Sequence, residues 1–297
     1  MKLNIISQLV ENKIQIQRKK KYVCIIGSNP SKGARSPKLW NAAFKKHKIN
    51  MNMFPLDVKK KNLHLLLEKL NQDKNFLGGS VAVPYKEDIY KFLGNRIDKT
   101  IKNIGSINCL YRDKKTKKIF GYNSDGFGAL YCLKKKLNNN IGKLNIIILG
   151  LGGAGKSIAA ILEKNVITNE ISVYVRNLKK YKKYSKKFNF NLYPFPIKER
   201  SLKKCNVLIN TTTVGSTNNK KKTFLNENEI KKLKKSCFVF DIIYQPLNTE
   251  LIKLSKKNKL INMNGISMNL EQAVIAFHKT ISFNKNFNLT RIAMKHA

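Results

Sequence analysis

Two short stretches carry residue types that can move a proton. Ser80-Val81-Ala82-Val83-Pro84-Tyr85-Lys86 reads as a strand ending in Pro-x-Lys, and Gly121-Tyr122-Asn123-Ser124-Asp125-Gly126 puts an Asp on a later loop. Between them lies Gly105-Ser106-Ile107-Asn108. A lysine acts as a general acid or base when burial or neighbours move its pKa, and a carboxylate beside it orients the ammonium. Lys86 and Asp125 are therefore a candidate acid–base pair. Taken singly, each has a plainer reading. One of 52 lysines is ordinarily a solvated cation, and an Asp before Gly is ordinarily a turn or helix-cap residue.

A third stretch points to binding. Gly150-Leu151-Gly152-Gly153-Ala154-Gly155 fits G-x-G-x-x-G, after an apolar run at 145–149 and before a helical pattern at 156–164. In such a turn the first glycine allows the tight bend, the second lets the backbone approach a pyrophosphate, and the third lets helix and sheet pack closely. The helix start then offers unsatisfied N–H groups to phosphate charge. The same residues also fit a P-loop, Gly150 through Gly155-Lys156-Ser157, with Phe238-Val239-Phe240-Asp241 as the acidic strand. The dinucleotide reading is favoured, because a strand at 171–175 follows at about the 20-residue distance of ribose readers. A separate α/β unit with its own chemical residues also precedes the turn. The 171–175 strand runs into Tyr174-Val175-Arg176-Asn177, with Lys179 and Lys180 behind and no carboxylate. NAD readers place an acid there for the ribose hydroxyl, whereas an Arg suits the 2′-phosphate of NADP. NADP is the expected cofactor.

The elements that must position these groups follow from periodicity. Strands are expected at 22–27, 51–58, 77–83, 107–112 and 118–123, with helices at 36–47, 60–70, 87–93 and 126–137, the last ending in the Asn run at 138–140 and Gly142. A second series expects strands at 145–149, 171–175, 207–210, 238–241 and 260–262, helical patterns between them, and a long helix at 267–282. Strands alternating with helices define an α/β chain.

Composition narrows the function class. The formal charge is +42, yet 52 of the basic residues are Lys and only 7 are Arg, alongside 36 Asn. Nucleic-acid readers lean on Arg, whose fork pairs with phosphate and base edges. The bias therefore reads as compositional drift, and no nucleic-acid partner is expected. Lysine runs at 18–21, 179–187, 220–222 and 231–235 read as solvated faces. Cys24, Cys109, Cys132, Cys205 and Cys237 are widely spaced, without C-x-x-C or Cys/His pairing, so neither a disulfide framework nor a metal site is expected. No apolar run spans a bilayer and no signal peptide is read, which makes the cytoplasm the expected compartment and excludes a membrane partner.

Together these motifs resemble the shikimate dehydrogenase family. That family carries N-V-T-x-P-x-K, G-x-x-N, N-T-D-G and the glycine turn, then N-A-T-x-x-G, D-x-x-Y and G-x-x-x-x-x-x-Q. The counterparts here include Asn210-Thr211-Thr212-Thr213-Val214-Gly215, Asp241-Ile242-Ile243-Tyr244, and Gly265 through Gln272. The resemblance runs over roughly residues 22 to 280. It implies an N-terminal α/β substrate domain at 1–124, a Rossmann NADP domain at 125–264, and a C-terminal helical segment at 265–297 returning to the first domain. It implies Lys86 as acid/base, with Asp125 paired to it and holding substrate hydroxyls. Asn108 and Gln272 would meet ring hydroxyls, and Tyr244 the substrate carboxylate. Gly265, Thr211 and Thr212 would lie near the nicotinamide. With Gly150, Gly152, Gly153, Ala154, Gly155, Arg176 and Lys180 they complete the expected cofactor set. The implied reaction is metal-free reduction of 3-dehydroshikimate to shikimate by NADPH. A homodimer is one reading of the assembly.

The chain departs from the family at its first loop. The usual H-S-x-S-P is Lys32-Gly33-Ala34-Arg35-Ser36-Pro37, one residue longer from Gly27, with Ala34 for the first serine. Ser80 and Ala82 replace the Asn and Thr of N-V-T. These features are similar to shikimate-dehydrogenase-like paralogues, so a quinate- or other cyclohexane-acid dehydrogenase is the alternative. Arg35 or Lys32 is the expected replacement grip on the acid, and Ser36 and Ser80 are expected substrate-binding residues.

Overall fold

The computed structural model describes residues 2–17, 19–139, 142–219, 222–282 and 286–297. Residues 18, 220 and 221 of the lysine runs, and Asn140 of the expected helix stop, lie outside the described residues. Two units divide the chain: Met1–Ser124 with Gln272–Ala297, and Asp125–Glu271.

The first unit opens with α1 (Lys2–Gln8), β1 (Tyr22–Gly27), α2 (Ser36–Lys46), β2 (Met53–Asp57), α3 (Lys60–Gln72), β3 (Phe76–Val81), α4 (Lys86–Leu93), β4 (Cys109–Arg112) and β5 (Ile119–Tyr122). Its sheet has the order β2-β1-β3-β4-β5. β2, β1 and β3 run parallel, while β4 and β5 return antiparallel. Every residue of β1 is buried, the unbroken apolar run of a parallel strand covered on both faces. α3 buries Leu63, Leu66, Leu67 and Leu70, one stripe of a 3.6-residue period. Arg112 locks the end of α3 to β3. Its guanidinium donates to the carbonyls of Leu70, Asn71, Asp73 and Phe76, at 2.7–3.2 Å.

The second unit contains α5 (Asp125–Lys136), β6 (Leu144–Leu149), α6 (Gly153–Asn165), β7 (Thr168–Val175), α7 (Leu178–Ser185), β8 (Asn191–Pro194) and α8 (Glu199–Lys204). It continues through β9 (Val207–Asn210), α9 (Glu227–Lys231), β10 (Phe238–Asp241), α10 (Glu250–Lys257) and β11 (Ile261–Met263). All six strands are parallel, in the order β11-β10-β9-β6-β7-β8. Counted from β6, that is the 3-2-1-4-5-6 order of a Rossmann sheet. Its direction reverses between β6 and β9, where such sheets bind ligands at the strands' carboxyl ends.

α11 (Ile266–Ile281) starts in the second unit and ends in the first, and α12 (Phe287–Lys295) follows it. Phe277 sits against Trp40 and Phe44, with ring centroids 5.3 and 5.1 Å apart. The Thr290 hydroxyl bridges His47 and His278 at 2.7 and 2.8 Å. Lys279 pairs with Asp98 at 2.6 Å.

Several sequence expectations need correction. β3 stops at Val81, so Lys86 does not close a strand; it opens α4, after the turn of 82–85. Asp125 is the first residue of α5 rather than a loop residue. α6 begins at Gly153, inside the glycine turn, because the turn's last residues already have helical hydrogen bonding. The strand expected at 107–112 starts at Cys109, leaving Asn108 as its lead-in. β8 and α1 are not anticipated, and the expected C-terminal helical segment holds two helices, α11 and α12.

Candidate active site

In the first unit the site residues gather where β1 and β3 end. The amide of Ala82 donates to the Ile26 carbonyl at 2.8 Å and that of Val81 to the Asn108 carbonyl at 2.7 Å, which fixes the β1–β3–β4 junction. The Lys86 carbonyl accepts from the Ile107 amide at 3.0 Å, so the start of α4 is tied to the segment carrying Asn108. Tyr85, buried, anchors the same turn by donating to the Val58 carbonyl at 2.6 Å. Lys86 is half-buried at the head of α4, with Glu87 and Asp88 in its first turn. Ser80 is buried on β3 opposite Cys109.

Asn108 is the hub of a buried amide cluster. Its Oδ1 accepts from the Ser124 amide at 2.8 Å, and its Nδ2 donates to Ser124 Oγ at 2.9 Å and Gln272 Oε1 at 3.1 Å. Asn123 caps the neighbouring turn by donating to the Ser106 carbonyl at 3.0 Å. The first loop is set from below by Asp57, which accepts from the Ser31 amide at 2.9 Å and from the Ser31 hydroxyl. Beyond it, half-buried Arg35 stands at the N-cap of α2 and buried Ser36 is its first residue.

In the second unit the expected cofactor residues collect at the switch point. Gly150 has φ +90°, a conformation strained for any residue with a side chain. A Cβ on Gly155 would stand 2.6 Å from Thr211 Oγ1, so only glycine lets α6 approach β9. The position of a Cβ on Gly152, in contrast, faces open space. Thr211 Oγ1 donates to the Leu149 carbonyl at 2.8 Å, and Thr212 Oγ1 to Asn210 Oδ1 at 2.8 Å, so the two turns brace each other. Gly153 and Ala154 form the first turn of α6. Arg176 is exposed just past β7, and exposed Lys180 donates its amide to the N-cap Asn177 at 3.1 Å. Gly265 backs onto the Ile242 carbonyl, and its amide bonds to the Ile243 carbonyl at 2.9 Å. Tyr244 is half-buried after β10. Asp125 is buried at the start of α5, whose Gly126 amide donates to Ser157 Oγ on α6 at 2.9 Å.

The P-loop residues do not serve as such. Lys156 is 8% exposed and its Nζ lies 5.6 Å above the Tyr184 ring and 6.0 Å above the Tyr181 ring. Asp241 is wholly buried, where it accepts from Asn210 at 3.0 Å, the Ile243 amide at 3.1 Å and Thr249 at 2.6 Å. Burial pushes its carboxyl up to about 6, against those three hydrogen bonds. It organises loops instead of facing a metal. Tyr181 and Tyr184 were missed because they lie within a lysine run, although their three-residue spacing marks one helix face. Nothing in the sequence marks Ser124, because its partners Asn108 and Gln272 lie 16 and 148 residues away. Among the described residues no cluster of three or more His, Cys, Asp or Glu could hold a metal, and no helix is long and apolar enough to cross a membrane.

A Rossmann sheet with a glycine turn at its switch point, coupled in one chain to a mixed α/β unit carrying a lysine, amides and hydroxyls, defines a dinucleotide-dependent oxidoreductase class. The family model for the shikimate dehydrogenase substrate binding domain matches residues 25–110. Shikimate dehydrogenase (NADP(+)) of Methanococcus vannielii is 32% identical over 278 residues, 89% of this chain and 92% of its own. The enzyme of the same name from Pyrococcus furiosus is 35% identical over 262 residues, 85% of this chain and 87% of its own. A crystal structure of shikimate dehydrogenase in complex with NADP+ matches with a TM-score of 0.81 and 28% identity, covering 95% of this chain and 97% of that one. The chain belongs to the shikimate dehydrogenase family.

Proposed function

We propose that this protein catalyses the reversible, NADPH-dependent reduction of 3-dehydroshikimate to shikimate, a step toward aromatic amino acids, in the cytoplasm. The observation that carries it is the kinship, along most of the chain, with two enzymes named shikimate dehydrogenase (NADP(+)). The residues fit the cofactor. The strained Gly150 bend, the open approach at Gly152, the start of α6 and exposed Arg176 at the end of β7 suit a pyrophosphate and a 2′-phosphate. Gly150, Gly152, Gly153, Ala154, Gly155, Arg176, Lys180, Thr211, Thr212 and Gly265 are the residues that would hold it. When bound, NADPH supplies the hydride.

The chain's own residues do the rest. Lys86 Nζ gives a proton to the substrate's ketone oxygen during reduction and takes it back during oxidation, while its charge stabilises the developing alkoxide. Asp125 orients that ammonium and accepts from a ring hydroxyl. Asn108 and Gln272 hold ring hydroxyls, and Tyr244, Ser36, Ser80 and Arg35 serve the carboxylate side. Ala34 and Ala82 remove hydroxyls that the family uses, which favours a second reading, a quinate-type acid as preferred substrate.

The deciding experiment follows nicotinamide absorbance with NADP or NAD against shikimate and quinate. Turnover of shikimate with NADP is expected, and Arg176→Asp should raise the KM for NADP about tenfold, the loss of one charge-assisted pair. Oxidation of quinate alone would move the substrate to the second reading. Absence of turnover with either acid would defeat both. Sedimentation of the purified protein tests the homodimer.

A further inference from the structure

A buried carboxylate costs free energy unless donors satisfy it, so the donors it has been given show what it holds. Asp57, at the end of β2, is 4% exposed. Both of its oxygens go to one residue of the first loop: Oδ1 accepts from the Ser31 amide at 2.9 Å, and Oδ2 accepts from the Ser31 hydroxyl. The anchor itself is fixed. The Asp57 amide donates to Asn12 Oδ1 at 2.8 Å, and its carbonyl accepts from the Glu11 amide at 2.8 Å. The amide of Val58, the next residue, donates to the Gly27 carbonyl at 2.9 Å. Ser31, in contrast, is exposed and belongs to a single 3-10 turn, Pro30–Lys32. Gly33 follows at φ +128°, with open space where a Cβ would stand. The turn runs straight into α2, for the Ala34 amide donates to the Pro30 carbonyl at 3.1 Å and Ser36 opens the helix.

We infer that Asp57 is a positioning residue for recognition of the acid: by holding Ser31 with both oxygens it sets the path of the 28–35 loop, and so the place from which Ser36 meets the substrate carboxylate. A short exposed turn followed by a glycine has little packing to fix it, and two bonds to an immobile carboxylate supply what is missing. Asp57 itself touches no substrate in this role. The inference rests on the reading, proposed above, that Ser36 serves the carboxylate side.

The test compares wild type, Asp57→Ala, Asp57→Asn and Ser31→Ala, using shikimate and its methyl ester, which lacks the charged carboxylate. Asp57→Ala loses both pins, and its KM for shikimate is expected to rise about tenfold, the scale of one charge-assisted hydrogen bond. The KM values for the ester and for NADP should each stay within about twofold, and kcat within about threefold. Asp57→Asn should restore recognition, because its oxygen still takes the Ser31 amide and its NH2 donates to the Ser31 hydroxyl. Ser31→Ala, at an exposed position, loses the hydroxyl bond alone and should raise the shikimate KM about threefold. That variant carries the test if Asp57→Ala loses its cooperative melt. A merely structural Asp57 would lower the melting temperature and leave the shikimate KM unaltered, or raise it for acid and ester alike; either result overturns the inference. A wild type inactive on shikimate overturns the parent reading first, and this one with it.

Discussion

At the scale of the residue, the proposal concentrates on Lys86. Proton transfer by a positioned side chain is worth about 100- to 10,000-fold. Lys86→Ala should cut kcat by that range while NADP binding, followed by fluorescence titration, persists. Asp125→Asn should also lower kcat and raise the shikimate KM. If the two groups act as a unit, the double variant loses far less than the product of the single losses. Near-normal turnover in Lys86→Ala would transfer the proton step to another residue. Arg35 is the second test at this scale. It stands next to Ser36 at the start of α2, in the loop where Ala34 lacks a hydroxyl. Arg35→Met should raise the KM for the acid and leave that for NADP alone; an unchanged acid KM rules out the anchor.

At the scale of the element, the buried Asp241 at the end of β10 gives a pH signature. Its carboxyl is raised to about 6 by burial. The folded state therefore holds the proton more tightly than the unfolded chain, whose value is about 3.9. The stability tied to this proton is complete below the unfolded value and is lost as pH rises through the folded one. Asp241→Asn cannot titrate. The wild type should lose stability relative to Asp241→Asn between pH about 4 and about 7 in urea melts; parallel profiles would refute this. The elements themselves were legible wherever period and punctuation agreed. β1, β9 and β10 have the bounds expected from their apolar runs. β8 was hidden because Asn191-Leu192-Tyr193-Pro194 is short, edge-placed and only half apolar. The apolar run continues through Val83 and so suggests a strand up to Lys86, while the sheet lets go at Val81. The site was legible in its residue types and order. What stayed hidden was the set of partners, Asp57 under Ser31 and Ser124 beside Asn108, because hydrogen bonds between distant segments leave no spacing in the chain.

At the scale of the whole molecule, charge dominates. With 59 basic and 17 acidic side chains, no arrangement can neutralise the surplus, and folding compresses like charges. Screening relieves that repulsion over about 10 Å at 0.1 M salt. The melting temperature should climb as sodium chloride rises from about 0.02 to about 0.3 M. A flat or falling melting temperature would mean the lysines are neutralised in some other way. The path of the chain has a different consequence. The second unit is one continuous stretch, Asp125–Glu271, whereas the first is interrupted by it and needs Gln272–Ala297 to finish. Trp40 and Phe44 wait for Phe277, and His47 waits for Thr290. By residue 271 the second unit therefore has all of its own sequence, while the first is still missing a wall. A chain cut after Glu271 would hold a complete nucleotide fold together with an open aromatic core, a natural handle for chaperones.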